Sequence, residues 1–551
     1  MATITINKKE LAELLGKNLQ DRELKEKIPM LGVGFESIDK DNLIIEINPN
    51  RPDMLSMQGF ARAFSSFLGV KKGLAKYSIK DSDYKVVIDK SVKDVRPYTA
   101  CAVVKNLKFD DEKIREIIEV QEKLHATYGR NRKKFAIGIY PFEKINMPIY
   151  YIAKKPNDVK FKPLEFQREL TALQILNQHP AGKEYAHLLQ GLEKFPFFID
   201  SKNKVLSMPP IINSDDTGKI SKKTKDVFIE CSGFDYNILS KVINIIATSL
   251  TDMGGKIYNV KIVYPDKEIS SPNLEPSKMK IDISYINNII GEKLSEAKVK
   301  ECLLKMGYEY KNKIAFIPAY RTDILHQIDL VEDIAIAYGY ENLEPVVPTI
   351  ATIGKESNLA YFKEKISNFL VGFSFLETST FCITNKDVQT KLMDHKIGLI
   401  ELSNALSEEY SCLRAWMIPS LMQVLQSNKH HEYPQNIFEI GTIFKENPKT
   451  ETNAEENERL AVLFCSKDAN FTQIKQILDA LFNALGLKYS TEETDHQSFI
   501  TGRVARVIVN DQKIAYMGEI NPIVLNNFSL EMPVAALELN VTELFNIINS
   551  I

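Results

Sequence analysis

Four acidic residues fall within eleven positions, directly after an apolar run at 314–317 that is typical of a strand. They are Asp323, Asp329, Glu332 and Asp333. At about 100° per residue, the last three would lie on one side of a helix, one turn apart. Carboxylate oxygens are the ligands that a hard cation such as Mg²⁺ prefers. A solvated acidic face with an ordinary helix cap explains the same residues, so the rest of the chain must decide.

The element that would carry these acids is a predicted helix over 324–338. Its apolar stripe recurs at steps of three and four residues: Ile324, Ile328, Val331, Ala335 and Tyr338. Asp323 is the predicted N-cap, because an acid there can accept from free backbone N–H groups. Gly339 is the predicted stop, in a left-handed cap.

Length and composition predict a protein of several domains, and we expect it to be cytoplasmic. The 551 residues are too many for one core, and about 150 residues per domain predicts three or four domains. A net charge of −2 provides no overall attraction for nucleic acid. Six scattered cysteines without a C-x-x-C pair argue against zinc and disulfides. Neither a signal peptide nor a membrane-length apolar run is recognisable, which predicts no membrane association.

Mixed strand and helix patterns predict an α+β architecture in four parts. The first two parts, 1–83 and 84–268, are an N-terminal domain and a second α+β domain. A linker rich in Pro, Ser and Asn leads to a small central domain at 269–347. Residues 350–551 form the last α+β domain.

A basic cluster precedes the strand-like run at 135–140. Its members are Arg130, Arg132, Lys133 and Lys134. They are candidates to bind nucleic-acid phosphates, although a solvated turn explains them as well. Adjacent His430 and His431 point apart on a helix and do not suggest a metal site. The loop at 50–53 (NRPD) is interpreted as structural or intersubunit.

Four separated segments carry a family resemblance. They are 50–63 (NRPDMLSMQGFARA), 132–140 (RKKFAIGIY) with 226–233 (DVFIECSG), 321–340, and 413–415 (LRA) through 436–444 (NIFEIGTIF). In order and spacing they resemble the β subunit of phenylalanyl-tRNA synthetase, in its compact archaeal and eukaryotic-cytosolic form. The resemblance spans nearly the whole chain.

The resemblance implies a role for each region. The four acids match positions assigned to Mg²⁺ in the small central domain. Residues 84–268 resemble the editing domain, which hydrolyses mischarged Tyr-tRNA(Phe). The last region resembles a class II synthetase fold, an antiparallel sheet with helices, that has lost its chemistry. The expected assembly is an (αβ)₂ heterotetramer whose α subunit uses ATP to attach phenylalanine to tRNA(Phe).

The sequence itself indicates the loss of activation chemistry. A class II site needs closely spaced glycines before a motif-3 arginine, and no two glycines after residue 350 are near each other. Arg414 resembles the motif-2 arginine, but its expected ATP partners are absent. A phosphate-binding G-x-x-x-x-G-K-[ST] loop is absent as well. We therefore expect no aminoacylation residues in this chain.

For editing, a polar pocket would have to recognise the tyrosine hydroxyl, because a phenyl pocket discriminates against an added hydroxyl by only about 10². The candidate acceptor is Glu230, with Ser232 and Ser207 as polar partners. A strand-end acid without function explains Glu230 equally well. Two rival hypotheses remain: a structural scaffold with an inactive pocket, and an autonomous Mg²⁺-dependent phosphoryl-transfer enzyme, for which the acids lack a phosphate-binding loop.

Overall fold

The computed structural model describes residues 2–350 and 353–550, and the chain divides into two compact units, 1–347 and 348–551. Each unit mixes helices with sheets. Within the described ranges, no helix is both long and apolar enough to cross a membrane. All six cysteines are free thiols.

The first unit begins with a three-stranded antiparallel sheet in the order β1-β3-β2. Strand β3 alternates buried and half-buried residues, so Leu43, Ile45 and Ile47 face the core. The elements are β1 (Ala2–Asn7), α1 (Lys8–Leu15), α2 (Asp21–Met30), β2 (Gly34–Ile38), β3 (Asn42–Ile47) and α3 (Met57–Phe67).

Two larger sheets follow, and they extend a few residues beyond the predicted 84–268 at each end. The elements are β4 (Ile79–Lys80), β5 (Lys85–Ile88), β6 (Tyr98–Lys105), α4 (Asp111–Ala126), β7 (Phe135–Pro141), β8 (Ile149–Lys154), β9 (Lys160–Phe161), β10 (Leu170–Thr171), α5 (Ala172–Gln178), α6 (Pro180–Tyr185), β11 (Phe195–Ile199), β12 (Val205–Met208), β13 (Ile212–Asn213), α7 (Asp215–Gly218), β14 (Val227–Gly233), α8 (Tyr236–Asp252), β15 (Lys256–Tyr258), β16 (Val260–Val263) and β17 (Glu268–Ser271). The five-stranded sheet has the order β4-β15-β6-β14-β7, and the seven-stranded sheet β13-β12-β11-β8-β5-β16-β17.

Strand β14 is buried along its whole length because both of its faces are covered. Val227, Ile229 and Cys231 pack in the same core as residues of α8. On the other face, Phe228 packs in a separate core with Tyr151 of the seven-stranded sheet. Since side chains alternate along a strand, Glu230 and Ser232 share the face of Phe228 and lie between the two sheets.

The last part of the first unit is a three-stranded antiparallel sheet, β18-β20-β19, with three helices. The elements are β18 (Ser277–Lys280), α9 (Ile283–Ile290), α10 (Glu296–Lys305), β19 (Glu309–Lys311), β20 (Ile314–Ile317) and α11 (Gln327–Tyr338). Helix α11 starts three residues later than predicted. Its buried face is Leu330, Val331, Asp333, Ile334, Ala335 and Ala337. Of the predicted apolar stripe, Val331 and Ala335 are buried and Ile324 and Tyr338 pack against the core, whereas Ile328 is exposed.

The second unit is built on a seven-stranded sheet in the order β21-β24-β25-β29-β28-β27-β26. Its elements are α12 (Asn358–Gly372), β21 (Leu376–Glu377), β22 (Ile383–Thr384), α13 (Lys386–Gln389), β23 (Cys412–Leu413), α14 (Ile418–Ser427), β24 (Gln435–Glu446), β25 (Ala454–Cys465), α15 (Phe471–Ala484), β26 (Ser490–Glu493), β27 (Phe499–Val509), β28 (Gln512–Ile520), α16 (Pro522–Asn527), β29 (Val534–Asn540) and α17 (Val541–Ser550). All neighbouring strands are antiparallel except the short β21 against β24. The polar stretch 445–459 belongs mostly to the β24–β25 hairpin, with its turn at 447–453.

Candidate functional site

Glu230 lies on the wall of a cavity of about 130 Å³ between the two large sheets. The side chain is only 2% exposed. Tyr140 Oη, from the adjacent strand β7, donates a hydrogen bond of 3.1 Å to Glu230 Oε1. Ser207, on β12, lines the same cavity. The structure therefore brings two of the three predicted pocket residues, Ser207 and Glu230, to one site.

Polar atoms of this cavity are left without a partner in the protein. Glu230 Oε2 and Ser207 Oγ are both buried, and neither makes a hydrogen bond of normal geometry with another described residue, although the Ser207 hydroxyl lies close enough to Glu230 to favour its charged form. Burial raises the pKa of Glu230 to about 8, although hydrogen bonding from Tyr140 favours the charged form. Glu230 is therefore mostly protonated at neutral pH, and its carboxyl group can both donate and accept a hydrogen bond.

Gly138 makes room for this arrangement. It is the cross-strand neighbour of Glu230 in the β7–β14 ladder. A Cβ atom at this position would overlap Tyr140 Oη and approach Glu230 Oε1 to 2.5 Å. Any side chain larger than hydrogen would therefore displace the Tyr140–Glu230 pair.

Arg132 organises another wall of the cavity. Its Nη1 donates to the backbone carbonyls of Pro210 (3.2 Å) and Ile211 (2.9 Å), and its Nη2 donates to both carboxylate oxygens of Glu122 at 3.1 Å. The guanidinium carbon also lies 4.3 Å from the ring centroid of Tyr185. These contacts engage Arg132 within the fold, so it is poorly placed for the predicted phosphate contact.

His125 lines the same cavity, but both of its ring nitrogens are engaged. Its Nε2 accepts from the backbone N–H of Ile137 at 2.8 Å, and its Nδ1 lies 3.2 Å from Glu122 Oε1. Burial lowers the pKa of His125, and a neutral ring with its proton on Nδ1 satisfies both contacts. The ring is therefore a structural part of the wall rather than an available base.

Ser232 does not line the cavity, although it shares a strand face with Glu230. Arg96 Nε donates to Ser232 Oγ (3.2 Å), and Arg96 Nη2 donates to the Ser232 carbonyl (2.7 Å). Arg96 is itself 3% exposed. Ser232 thus anchors a buried arginine next to the pocket.

The other three basic candidates lie at the surface end of the same turn. Arg130, Asn131 and Arg132 all have positive φ, which makes the turn sharp. Arg130 and Lys133 are exposed, and Lys134 is half-buried. The turn therefore presents two exposed cations on the outside and directs Arg132 to the inside.

The four acids of the central region have different partners. Asp323 accepts from Arg321 Nε and Nη2, each over 2.8 Å, and Asp333 Oδ2 accepts from Arg321 Nη2, also over 2.8 Å. Tyr308 Oη also donates to Asp333 Oδ2. A guanidinium cation thus takes the position between Asp323 and Asp333 that a metal ion would need.

The remaining two acids of helix α11 accept hydrogen bonds from groups that lie just outside its two ends. Asp329 Oδ2 accepts from the backbone N–H groups of Leu325 and His326, at 2.7 Å each, and Glu332 Oε1 accepts from Tyr340 Oη at 2.9 Å. The N-cap is His326 instead of the predicted Asp323. Across residues 2–350 and 353–550, no three His, Cys, Asp or Glu side chains are grouped so that they could hold a metal. Carboxylate oxygens suit Mg²⁺, but these four acids are not arranged around one point in the described structure. The Mg²⁺ site therefore stays a prediction.

Sequence reasoning missed several residues around Glu230. Tyr140 and Gly138 lie in the 132–140 segment. Their proximity to Glu230 follows from the pairing of β7 with β14, which the sequence does not reveal. Asn213, whose Oδ1 lies 3.3 Å from Tyr140 Oη, had no local signal.

Arg414 is also occupied within the fold. It is buried, and it donates to Glu439 Oε1 (2.7 Å), Thr380 Oγ1 (2.9 Å) and the Thr442 carbonyl (2.8 Å). This arginine therefore stabilises the sheet of the second unit.

Comparison with known proteins identifies the class. Residues 343–541 match the family model described as the phenylalanyl tRNA synthetase beta chain CLM domain, and residues 279–340 match the tRNA synthetase B5 domain. Both models describe parts of tRNA synthetases, which are ligases.

Full-length relatives define the family. The chain is 39% identical to the phenylalanine–tRNA ligase beta subunit of Thermococcus onnurineus, over 99% of both chains, and to that of Pyrococcus horikoshii, over 99% of this chain and 100% of the relative. A crystal structure of an N-terminal fragment of the Pyrococcus horikoshii phenylalanyl-tRNA synthetase beta subunit matches with 38% identity and a TM-score of 0.59, covering 62% of this chain and all of the fragment. The chain belongs to the family of phenylalanine–tRNA ligase beta subunits, which confirms the resemblance found in the sequence.

Proposed function

We propose that this chain is the β subunit of a cytoplasmic phenylalanine–tRNA ligase and works with an α subunit in an (αβ)₂ heterotetramer. The α subunit would use ATP to attach phenylalanine to tRNA(Phe). The observation that carries this proposal is the 39% identity to beta subunits along the full length of both chains. The α subunit and the tRNA are therefore its expected partners.

The second unit is proposed to be a class II synthetase-like domain without activation chemistry. Its largely antiparallel sheet with flanking helices supports this assignment. The burial of Arg414 by Glu439 and Thr380 removes this candidate cation from ATP binding. Aminoacylation would then belong to the partner.

A patch of exposed apolar side chains in the second unit supports the need for a partner. Phe381 is 75% exposed and pairs edge-on with Tyr410, with ring centroids 6.0 Å apart. Ile383 and Leu402 are also exposed. Grouped exposed apolar side chains commonly mark protein interfaces, and we assign this patch to the α subunit.

We further propose that the Glu230 cavity selects the tyrosyl group of mischarged Tyr-tRNA(Phe). The tyrosine hydroxyl would supply the hydrogen bonds that Glu230 Oε2 and Ser207 Oγ lack within the described protein. A phenylalanyl group would leave these buried atoms unpaired. Sites built to hydrogen-bond a hydroxyl reject the analogue without it by about 10⁴–10⁵, which would spare correctly charged tRNA.

Hydrolysis of the ester is proposed to use a positioned water molecule. Water would attack the carbonyl that joins tyrosine to the tRNA ribose, releasing tyrosine and free tRNA. Among the described residues that line the cavity, no serine–histidine or cysteine–histidine pair is available, since both nitrogens of His125 are engaged. The exposed Arg130 and Lys133 are proposed to contact tRNA phosphates nearby.

Mg²⁺ binding at Asp323, Asp329, Glu332 and Asp333 is retained as a proposal for the assembled enzyme. Asp329 and Glu332 each use only one carboxylate oxygen in their hydrogen bonds to Leu325, His326 and Tyr340. Asp323 and Asp333 would have to exchange Arg321 for the metal. Mg²⁺ often keeps several waters, so two carboxylates can suffice for a weak site.

The deciding experiment measures deacylation of Tyr-tRNA(Phe) by the assembled enzyme. Glu230→Ala should slow deacylation by about 10- to 100-fold, the value of one or two buried hydrogen bonds, while phenylalanylation stays unchanged. The exposed Glu193 provides the matched control as Glu193→Ala. Wild-type deacylation rates in both Glu230→Ala and Ser207→Ala would remove the pocket assignment, whereas no deacylation of Tyr-tRNA(Phe) by the wild-type enzyme would favour the scaffold hypothesis with an inactive pocket.

Assembly is tested separately by co-purification with the α subunit. Phe381→Asp should reduce recovery of the complex, because it places a charge in the apolar patch. Ile523→Asp is the control, since Ile523 is 55% exposed on helix α16 outside that patch. Equal recovery of both variants would remove the patch assignment.

A further inference from the structure

A second cavity in the first unit has a strongly basic lining. Its volume is about 380 Å³, which falls in the range of small-molecule sites. Helix α3, the segment 71–77, the end of α8 and the residues 318–321 contribute its walls. It shares no lining residue with the Glu230 cavity.

The lining carries five basic and two acidic residues, an excess of three positive charges. The basic residues are Arg51, Arg62, Lys71, Lys72 and Arg321, and the acidic residues are Asp53 and Asp252. Asp323 and Asp333 also bind Arg321 without lining the cavity, and one positive charge remains after they are counted. Guanidinium groups stay charged at any physiological pH. Since the three arginines face four carboxylates, the remaining positive charge of the site comes from Lys71 and Lys72.

Both acids of the lining are already occupied. Asp53 accepts two hydrogen bonds from Arg51, at 2.9 and 2.8 Å. Asp252 accepts from Arg62 Nη1 at 2.6 Å and from Tyr77 Oη at 3.0 Å. These pairs fix the arginines in place but do not use all of their donors.

Two guanidinium nitrogens lack a partner within the described protein. Arg321 is 3% exposed, and its Nη1 makes no hydrogen bond there; the same holds for Arg62 Nη2. The Arg62 guanidinium carbon lies 4.0 Å from the ring centroid of Tyr320, a cation–π contact that helps to hold it against the wall. Buried, unpaired donors on fixed cations favour an oxyanion ligand.

We propose that this cavity binds a small molecule through a phosphate group. Phosphate offers several acceptor oxygens and carries negative charge, which match the unpaired arginine donors and the excess positive charge. The exposed Lys71 and Lys72 lie at the edge of the site and would attract the anion. This proposal is independent of editing and of the α subunit.

The test is calorimetric titration of the full chain with inorganic pyrophosphate in Mg²⁺-free buffer. We expect saturable binding to one site per chain. Lys72→Gln should weaken it about threefold, the effect of one exposed charge near the anion, and Arg62→Gln at least tenfold. Lys76→Gln is the matched control, because Lys76 belongs to the same exposed segment but does not line the cavity.

Lys72→Gln keeps the test valid if Arg62→Gln fails to fold. A parallel titration with AMP tests whether the cavity accepts a phosphate group attached to a larger molecule, and not only free phosphate or pyrophosphate. Absence of saturable binding by pyrophosphate and AMP would overturn the proposal. Equal weakening by Lys72→Gln and Lys76→Gln would also overturn it, since that result describes non-specific charge attraction.

Discussion

Tyr140 Oη and Glu230 Oε1 are joined by a 3.1 Å hydrogen bond across neighbouring strands of one sheet. The bond satisfies one carboxyl oxygen and leaves the other, Oε2, buried without a partner in the described protein. The carboxyl group is thus held in one orientation with unused hydrogen-bonding capacity. A ligand with a hydroxyl group would complete it.

The protonation of Glu230 predicts a pH-dependent stability. Its pKa is raised from about 4.5 in the unfolded chain to about 8 in the folded protein. Its contribution is fully present below pH 4.5 and is lost as the pH rises through 8, because folding then buries a charge. Relative to Glu230→Gln, the free energy of unfolding should fall by an amount on the order of 5 kcal/mol across this window. Urea unfolding at several pH values measures it, and parallel curves for both proteins would contradict a raised pKa.

Gly138→Ala should damage the pocket without altering its polar residues. The added methyl group would overlap Tyr140 Oη, so the ring or the strand must move. We expect a loss of stability of about 1–3 kcal/mol from overpacking and a clear drop in deacylation. Gly372→Ala serves as control, since no described atom lies within 4 Å of a Cβ there. Wild-type deacylation in Gly138→Ala would show that the Tyr140–Glu230 geometry is irrelevant to editing.

Substitutions in the turn at 130–134 should give two different effects, one for its exposed cations and one for the inward-facing Arg132. Lys133→Gln and Arg130→Gln should weaken tRNA binding and reduce its salt dependence by about one unit of slope for each phosphate that is no longer neutralised. Arg132→Gln should instead lower stability and deacylation, because it releases the carbonyls of Pro210 and Ile211. Filter-binding over a salt series and thermal unfolding distinguish the two. A large change of salt slope in Arg132→Gln alone would reverse this assignment.

The ion pairs of Arg321 with Asp323 and Asp333 allow a test of Mg²⁺ binding by these acids. Arg321→Met should destabilise the protein by about 3–5 kcal/mol, since it leaves two carboxylates of low exposure without their cation. If Asp323 and Asp333 can bind a metal, Mg²⁺ should stabilise this variant more than the wild type. Arg321→Met combined with Asp333→Asn should lose most of that Mg²⁺ response. Thermal unfolding with and without Mg²⁺ decides, and identical shifts in all three proteins would argue against a metal site.

Helix α11, which carries Asp329, Glu332 and Asp333, shows where local pattern and tertiary structure differ. Spacing correctly predicted a helix ending at Tyr338, because apolar periodicity and a following glycine are local signals. It did not predict that Asp333 is buried, since that follows from Arg321 and Tyr308 approaching from other elements. Of the five residues of the predicted stripe, Ile328 alone is exposed, because the neighbours of a helix, and not its own period, decide which apolar residues are covered.

By itself, the sequence determined the mixed α/β class and the family, because periodicity, turn residues and motif order are properties of the chain. Only the tertiary structure decided that Glu230 meets Ser207 and Tyr140, that Ser232 serves Arg96 instead, and that Arg132 turns inward. These relationships join residues as many as 136 positions apart, and each is fixed by packing between elements that have no local signal for one another.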